Sequence, residues 1–311
     1  MRDKIYIVSF LLGAALLLYL GRSLFQGSAV ATWGLTFAGT TAAGVLGMAL
    51  YRVQLELRAS RQELAMRQAE LNFALEVQRA LFPRQLPTDR GLEFSGVCVP
   101  ARGISGDYYD VVPLSNGRVA FMIADISGKG ISAAILMSNL HAVLRTLLAA
   151  GCTPLEVGAR LNQHLHQVTE GSRFATIFYG EWNPATRYLS YVNAGHNPPF
   201  LISPHRVQRL EPCGPPLGLF PEFEFGVRMC RLERGDLLAL FSDGVTEAGI
   251  ERGREFGEER LEKLITAQAQ KPLAEIQQQV LAAVTSWAGP EAEDDVTLLL
   301  VRASEENKEM P

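Results

Sequence analysis

The chain has 311 residues and a formal net charge of -4, and it contains four cysteines and five histidines. This acidic balance argues against a nucleic-acid-binding protein, which usually presents a basic face. No Cys-x-x-Cys or His-Glu-x-x-His pattern is present, so neither a zinc site nor a zinc protease is indicated. The length allows one sizeable domain with additional segments, or two modest domains, and the cysteines are expected to be buried, reduced thiols.

Two apolar stretches at the N-terminus predict a transmembrane hairpin over residues 1–50, with helices at about 5–21 and 29–50. Basic residues precede the first stretch and follow the second, whereas the short connection carries only Arg22. Both chain ends, and the domain that follows the second stretch, are therefore expected on the cytoplasmic side of the inner membrane. A cleavable signal peptide is the alternative for the first stretch, because Ala29-Val30-Ala31 resembles a cleavage site.

Residues 51–85 predict a helical linker, since strong helix formers dominate and the first break comes at Pro83. Leucines recur every seven residues, which is typical of an imperfect coiled coil, at Leu50, Leu57, Leu64 and Leu71. A small-residue stripe in the second apolar helix, Gly39-Ala43-Gly47, also permits close helix contact in lipid. We therefore expect a homodimer formed through the linker and the transmembrane helices, the alternative being a solvated helix that packs on its own domain.

Residues 86–303 alternate strand-like and helix-like patterns and predict an α+β sandwich of layers. Residues 304–311 are expected to form a disordered tail. Asn116-Gly117 predicts a hairpin turn between the second and third strands. Helices are predicted at residues 131–150, 154–168, 258–266 and 272–287. Strands are predicted at residues 92–99, 108–114, 118–124, 174–182, 187–192, 200–203, 207–210, 236–241 and 296–302.

Acidic residues stand at the ends of several predicted strands, beside glycines or in short turns. They are Asp107, Asp125, Asp243 and the pair Asp294-Asp295. Carboxylates beside glycines, which let the backbone approach closely, are suitable ligands for a hard divalent cation. Four such acids can hold two cations, and two cations can support hydrolysis of a phosphate ester.

Five motifs in order resemble the SpoIIE/RsbU-like branch of the PPM-type, metal-dependent serine/threonine phosphatases, over about residues 75–302. They are Ile104-Ser105-Gly106-Asp107-Tyr108-Tyr109-Asp110, Ile123-Ala124-Asp125-Ile126-Ser127-Gly128-Lys129-Gly130, Asn193-Ala194-Gly195-His196-Asn197-Pro198-Pro199, Phe241-Ser242-Asp243-Gly244-Val245-Thr246-Glu247 and Asp294-Asp295-Val296-Thr297. The resemblance implies an αββα sandwich with a two-metal site at one end of the strands. Ser105 stands where this branch commonly has glycine, which affects the expected geometry of the first acid turn.

The resemblance also implies a role for each acid. Asp125 would bridge two Mn²⁺ or Mg²⁺ ions, and the backbone carbonyl of Ile126 would add a ligand. Asp107, Asp243 and Asp294 would complete the shell, with Asp295 as the alternative to its neighbour. Two basic side chains close in sequence to these acids, Arg102 and Lys129, are candidates for binding the phosphate of the substrate. Arg102 could equally be a solvated loop residue.

These expectations combine into a membrane-anchored phosphatase that contacts membrane lipid and acts on phosphoserine or phosphothreonine. The resemblance implies a protein substrate, commonly an anti-anti-sigma factor. A non-catalytic membrane scaffold with the same fold is the alternative, although a scaffold would be expected to have lost one or more of the acids. A two-metal phosphodiesterase is a third reading that the same chemistry permits.

Overall fold

The computed structural model describes residues 13, 15–16, 19–20, 29–88, 90–101, 103–289 and 294–304. The chain divides into two compact units, Met1–Glu70 and Leu71–Pro311. The predicted first membrane helix and the predicted tail at 304–311 lie almost entirely outside the described residues, and Arg102 is not among them. The few described positions between 13 and 20 are helical. The two-helix hairpin therefore stays a prediction.

Helix α1 (Ala29–Arg79) is continuous from the second predicted membrane span through the predicted linker. Strong helix formers and the absence of glycine and proline after Leu50 account for its length. It contains a stretch that is long and apolar enough to cross a membrane, none of which is buried. The helix ends four residues before Pro83, slightly earlier than predicted, with a closing turn in which the Leu81 N–H donates to Gln78 O.

Ten strands of the described chain form two five-stranded sheets in which every pairing is antiparallel. The first sheet has the order β1-β10-β9-β6-β7 and the second the order β2-β3-β4-β5-β8. The strands are β1 (Leu92–Val99), β2 (Tyr108–Pro113), β3 (Val119–Ile126), β4 (Ala175–Asn183), β5 (Tyr188–Ala194), β6 (Phe200–Ser203), β7 (Arg206–Arg209), β8 (Arg228–Arg231), β9 (Leu237–Phe241) and β10 (Val296–Ala303).

Helices cover the outer face of each sheet and give an α-β-β-α order of layers. Side chains of α2 (Ile131–Ala149) and α3 (Pro154–Thr169) share one apolar cluster with the second sheet. Side chains of α5 (Glu258–Ala267) and α6 (Leu273–Ala288) share another with the first sheet. A third cluster joins the inner faces of both sheets. The predicted α+β sandwich is thus confirmed.

Strand β3 shows how the sequence builds these layers. Successive side chains of a strand point to opposite faces. Phe121 and Ile123 enter the cluster between the sheets, whereas Met122 and Ala124 enter the cluster beneath α2 and α3. Because both faces are covered, the strand is apolar throughout until it reaches Asp125.

The bounds of the predicted strands and helices in residues 86–303 agree with the structure to within about two residues. The elements that were not predicted are short or polar. The sequence missed edge strand β8, the four-residue helix α4 (Asp243–Thr246) and the 3-10 turn Ile250–Arg252. The Asn116-Gly117 hairpin is present, and Gly117 adopts a φ of 82° that favours glycine. The four cysteines are unpaired, as expected, but they are half-buried rather than buried.

Candidate active site

The sequence-predicted acids stand at matching ends of neighbouring strands. Asp107 immediately precedes β2 and Asp125 lies near the end of β3, and the pairing of Tyr108 with Ala124 sets these two acids across from each other. Asp243 begins α4 directly after β9, and the pair of acids at 294–295 directly precedes β10, the strand paired with β9. Each sheet therefore contributes acids to one end of the sandwich.

The electrostatics show that acids from the two sheets lie within range of one another. Burial, followed by the charges of Asp243 and Asp294, raises the pKa of Asp125 to about 7. Burial and then the charge of Asp125 raise the pKa of Asp107 well above its usual value. Burial and Asp294 likewise raise the pKa of Asp243. A bound cation would favour the ionised form of carboxylates that resist ionisation because they are buried and face one another.

Asp107 provides a direct test of whether a metal fits this cluster. Its side chain is 2% exposed, and its Oδ2 is buried with no hydrogen-bond partner among the described residues. Such an oxygen is costly unless a cation or donor reaches it. The carbonyl oxygen of Ile126 faces the Gly106 turn, lying 3.1 Å from where a Gly106 Cβ would stand. An all-oxygen donor set of this kind suits hard divalent ions.

The acids lie near one another but do not form a preformed metal-binding site among the described residues. Within the described part of the chain, no group of three His, Cys, Asp or Glu side chains is arranged to hold one metal ion. Lys129 lies at the cluster instead, with its Nζ 2.7 Å from Asp294 Oδ2. Both side chains of this pair are about half exposed. The predicted phosphate-binding lysine is therefore beside the acids, whereas its companion Arg102 lies outside the described residues.

The two adjacent acids before β10 have different surroundings. Asp295 accepts hydrogen bonds on both carboxylate oxygens, from Ala101 N at 2.8 Å and from Ser105 Oγ at 2.8 Å and Gly106 N at 2.7 Å. Asp294 reaches Lys129 and the backbone N–H of Asp295. Asp295 is thus occupied in holding the loop that leads to Asp107, which favours Asp294 over its neighbour as a metal ligand.

Sequence reasoning missed two residues that shape the loops around the acids. Gln78 lies at the end of α1, is 3% exposed, and pairs with both backbone groups of Ser105. Arg173 donates to Ser127 O at 3.1 Å, and its Nη1 lies 2.1 Å from where a Gly128 Cβ would stand. A glutamine in a run of helix formers and an arginine before a strand have no sequence pattern that reveals such contacts.

His196, in the third of the five motifs, has contacts that stabilise its turn. Its backbone N–H donates to Asn193 Oδ1 at 2.9 Å, and its Nδ1 lies 2.8 Å from Thr176 Oγ1. Burial lowers its pKa to about 4, so the ring is neutral near pH 7.

Comparison with known proteins places this geometry in a family. Residues 115–304 match the family described as Stage II sporulation protein E (SpoIIE). The phosphoserine phosphatase RsbU of Bacillus subtilis is 33% identical over 259 residues, covering 82% of this chain and 75% of RsbU. Asp125, Asp243 and Asp294 lie inside the family match, and Asp107 lies just before it.

Solved structures agree on the fold. The SiaA-PP2C domain of Pseudomonas aeruginosa matches with a TM-score of 0.68 and 21% identity, over 78% of this chain and 98% of that domain. RsbX in complex with magnesium matches with a TM-score of 0.56 and 18% identity, over 71% of this chain and 99% of RsbX. The two-sheet α+β architecture is therefore that of the PP2C-type, or PPM, phosphatases.

The chain belongs to the SpoIIE family of PP2C-type phosphatases. It is accordingly a serine/threonine protein phosphatase, as the five motifs implied.

Proposed function

We propose that this protein is a membrane-anchored, metal-dependent phosphatase that removes phosphate from phosphoserine or phosphothreonine on a regulatory protein. The observation that carries the proposal is the convergence of acids from both sheets, with pKa values raised by burial and then by one another's charge. A domain with no cation to bind would gain nothing from this arrangement, because it destabilises the ionised carboxylates.

The proposed metal ligands are the acids of this cluster together with one backbone carbonyl. Asp125 lies between acids of both sheets, which supports a bridging role between two Mn²⁺ or Mg²⁺ ions. Asp107, Asp243, Asp294 and the carbonyl of Ile126 would complete the ligand set. Two divalent ions bound there would supply an activated water and charge stabilisation for hydrolysis of a phosphomonoester. The magnesium bound by RsbX supports this choice of hard ion.

The remaining residues of the site would bind the substrate phosphate or hold the loop before Asp107. The Lys129 ammonium lies at the acid cluster, where it could attract the phosphate of the substrate. Arg102 stays a second proposed phosphate ligand from sequence. Asp295 would not contact the substrate, since its oxygens hold the loop before Asp107.

The proposed substrate is a phosphorylated regulatory protein of the anti-anti-sigma type. RsbU, the relative with 33% identity, is named as a phosphoserine phosphatase, which supports a phosphoserine protein substrate here. Homodimerisation through α1 is part of the same proposal, supported by the heptad spacing of its leucines.

The proposed location is the inner membrane, with α1 contacting lipid and both termini in the cytoplasm. The apolar stretch of α1, none of which is buried, supports this anchor. The linker part of α1 would control the site. Removing residues 1–70 should change the rate or the metal dependence of the phosphatase, and unchanged kinetics would count against this control.

The test is a Mn²⁺-dependent phosphatase assay with a phosphoserine protein, comparing wild type with Asp125→Asn and Asp243→Asn. Both variants should lose activity by a factor of about 100 or more if they hold the ions. Asp236→Asn is a matched control, because Asp236 lies just before β9, at the opposite end from Asp243, and accepts a hydrogen bond from Glu233 N. Wild type without activity would favour the scaffold, and cleavage of a diester in place of a monoester would favour the phosphodiesterase.

A further inference from the structure

Gln78 makes a two-point contact with the backbone of the first acid loop. Its Nε2 donates to Ser105 O at 2.6 Å, and its Oε1 accepts from Ser105 N at 3.0 Å. Gln78 is 3% exposed and Ser105 is fully buried. One amide side chain thus satisfies both the donor and the acceptor of a single residue, as a neighbouring strand would.

Ser105 in turn connects to the acids on two sides. Its hydroxyl donates to Asp295 Oδ2 at 2.8 Å and accepts from the backbone N–H of Asp107 at 2.9 Å. Fixing the Ser105 backbone therefore fixes the hydroxyl that holds Asp107 at the start of β2. A shift of this loop would move the Asp107 backbone and with it the carboxylate, whose Oδ2 has no hydrogen-bond partner among the described residues.

We infer that Gln78 is a positioning residue for the metal site, holding the Asp107 loop in the geometry that binds a divalent cation. The inference rests on the proposed function, because it needs Asp107 to be a ligand. Gln78 would touch neither metal nor substrate and would act only through Ser105.

Anchoring the end of α1 to the catalytic domain does not require an amide at this position. Phe82, just after the helix, already packs on Tyr108 and Tyr109 with ring centroids 5.6 and 5.4 Å apart. An apolar residue at 78 would add to such packing, whereas a buried amide is costly unless both of its groups are bonded. The side chain at 78 is therefore matched to the Ser105 backbone rather than to the core.

Two substitutions separate positioning from packing. Gln78→Met keeps the length of the side chain but leaves the Ser105 N–H and C=O without their partner. Gln78→Glu keeps the acceptor for Ser105 N, but when ionised it sets a carboxylate oxygen against the Ser105 carbonyl. When protonated, the same Glu can donate a hydrogen bond and restore the pair.

The experiment is calorimetric titration of the full-length chain in detergent with Mn²⁺, alongside melting curves in EDTA. Gln78→Met should weaken Mn²⁺ binding about tenfold, since two buried hydrogen bonds are lost, while turnover at saturating Mn²⁺ stays within about twofold. The affinity ratio of wild type to Gln78→Glu should grow as pH rises and the new carboxyl ionises.

Two controls fix the interpretation. Ile265→Val trims a buried side chain of α5 and should lower the melting temperature by a few degrees, and it should leave Mn²⁺ affinity unchanged. Gln85→Ala changes an exposed glutamine close in sequence and should change neither property. Equal Mn²⁺ affinity in wild type and both Gln78 variants would overturn this inference alone. Wild type that binds no Mn²⁺ would overturn the metal proposal and this inference together.

Discussion

Alanine substitution of Asp295 should lower the thermal stability of the protein much more than alanine substitution of its neighbour Asp294. Asp295→Ala removes the acceptor for Ala101 N, Gly106 N and Ser105 Oγ. A hydrogen bond to a charged group contributes about 1.5–3 kcal/mol to the free energy of unfolding. The sum over three such bonds is an upper limit, and the measured loss for Asp295→Ala should be well below it. Partial exposure of Asp295 and relief of its repulsion toward Asp107, Asp125 and Asp243 offset part of this.

We expect a net loss of about 3 kcal/mol for Asp295→Ala, which for a domain of this size lowers the melting temperature by about 6–12 °C. Asp294 instead pairs with Lys129 at the surface, and such pairs contribute about 0–1 kcal/mol. Asp294→Ala should therefore melt within a few degrees of wild type in EDTA, by the same scaling, yet lose most of its Mn²⁺ affinity.

The assay is thermal unfolding by fluorescence in EDTA, followed by Mn²⁺ titration at a temperature where all variants are folded. Lys129→Ala serves as the control for loss of the surface pair without loss of an acid. The reasoning fails if Asp294→Ala unfolds as early as Asp295→Ala, or if Asp295→Ala melts like wild type.

Three further predictions concern pH, an ion pair and a glycine. The pKa of Asp125 is raised to about 7, so its ionisation lowers the stability of the metal-free protein as the pH rises toward 8. The melting temperature of Asp125→Asn in EDTA should therefore exceed that of wild type by more at pH 8 than at pH 5. A difference between the two melting temperatures that does not change with pH would contradict this. Arg145→Met leaves the buried Asp110 carboxylate without its ion-pair partner, since Arg145 Nε contacts it at 2.9 Å. The free energy of unfolding in urea should fall by about 3 kcal/mol, and an unchanged urea midpoint would show that the pair contributes nothing. Gly244→Ala would set a Cβ 2.1 Å from Asp295 O, so Mn²⁺ titration should show about tenfold weaker binding or worse, and wild-type affinity would mean that the loop moves freely.

The fold was largely predictable because its strands and helices carry strong local patterns. β1 was predicted with the bounds it has, and the capping box of Thr153 with Glu156 marks the start of α3. β8 was missed because it is a short polar edge strand whose register is set by pairing with β5 rather than by its own pattern. α4 was missed because four residues are too few for helical periodicity to appear.

The acids of the site could be found from sequence, but their division of labour could not. Strand ends and glycines indicate where carboxylates stand, and the family resemblance supplies the expectation that the two sheets bring them together. The distinction between Asp294 and Asp295 depends on hydrogen bonds to a loop almost 200 residues earlier in the chain. Gln78 reaches Ser105 across 27 residues, a contact that no local pattern specifies.

A crystal structure with Mn²⁺, with anomalous scattering to locate the ions, tests the central claim most directly. The account predicts two anomalous peaks bounded by Asp107, Asp125, Asp243 and Asp294, with the Ile126 carbonyl on one of them and Asp295 still bonded to the loop. Peaks elsewhere, or no peak at this cluster under saturating Mn²⁺, would contradict it.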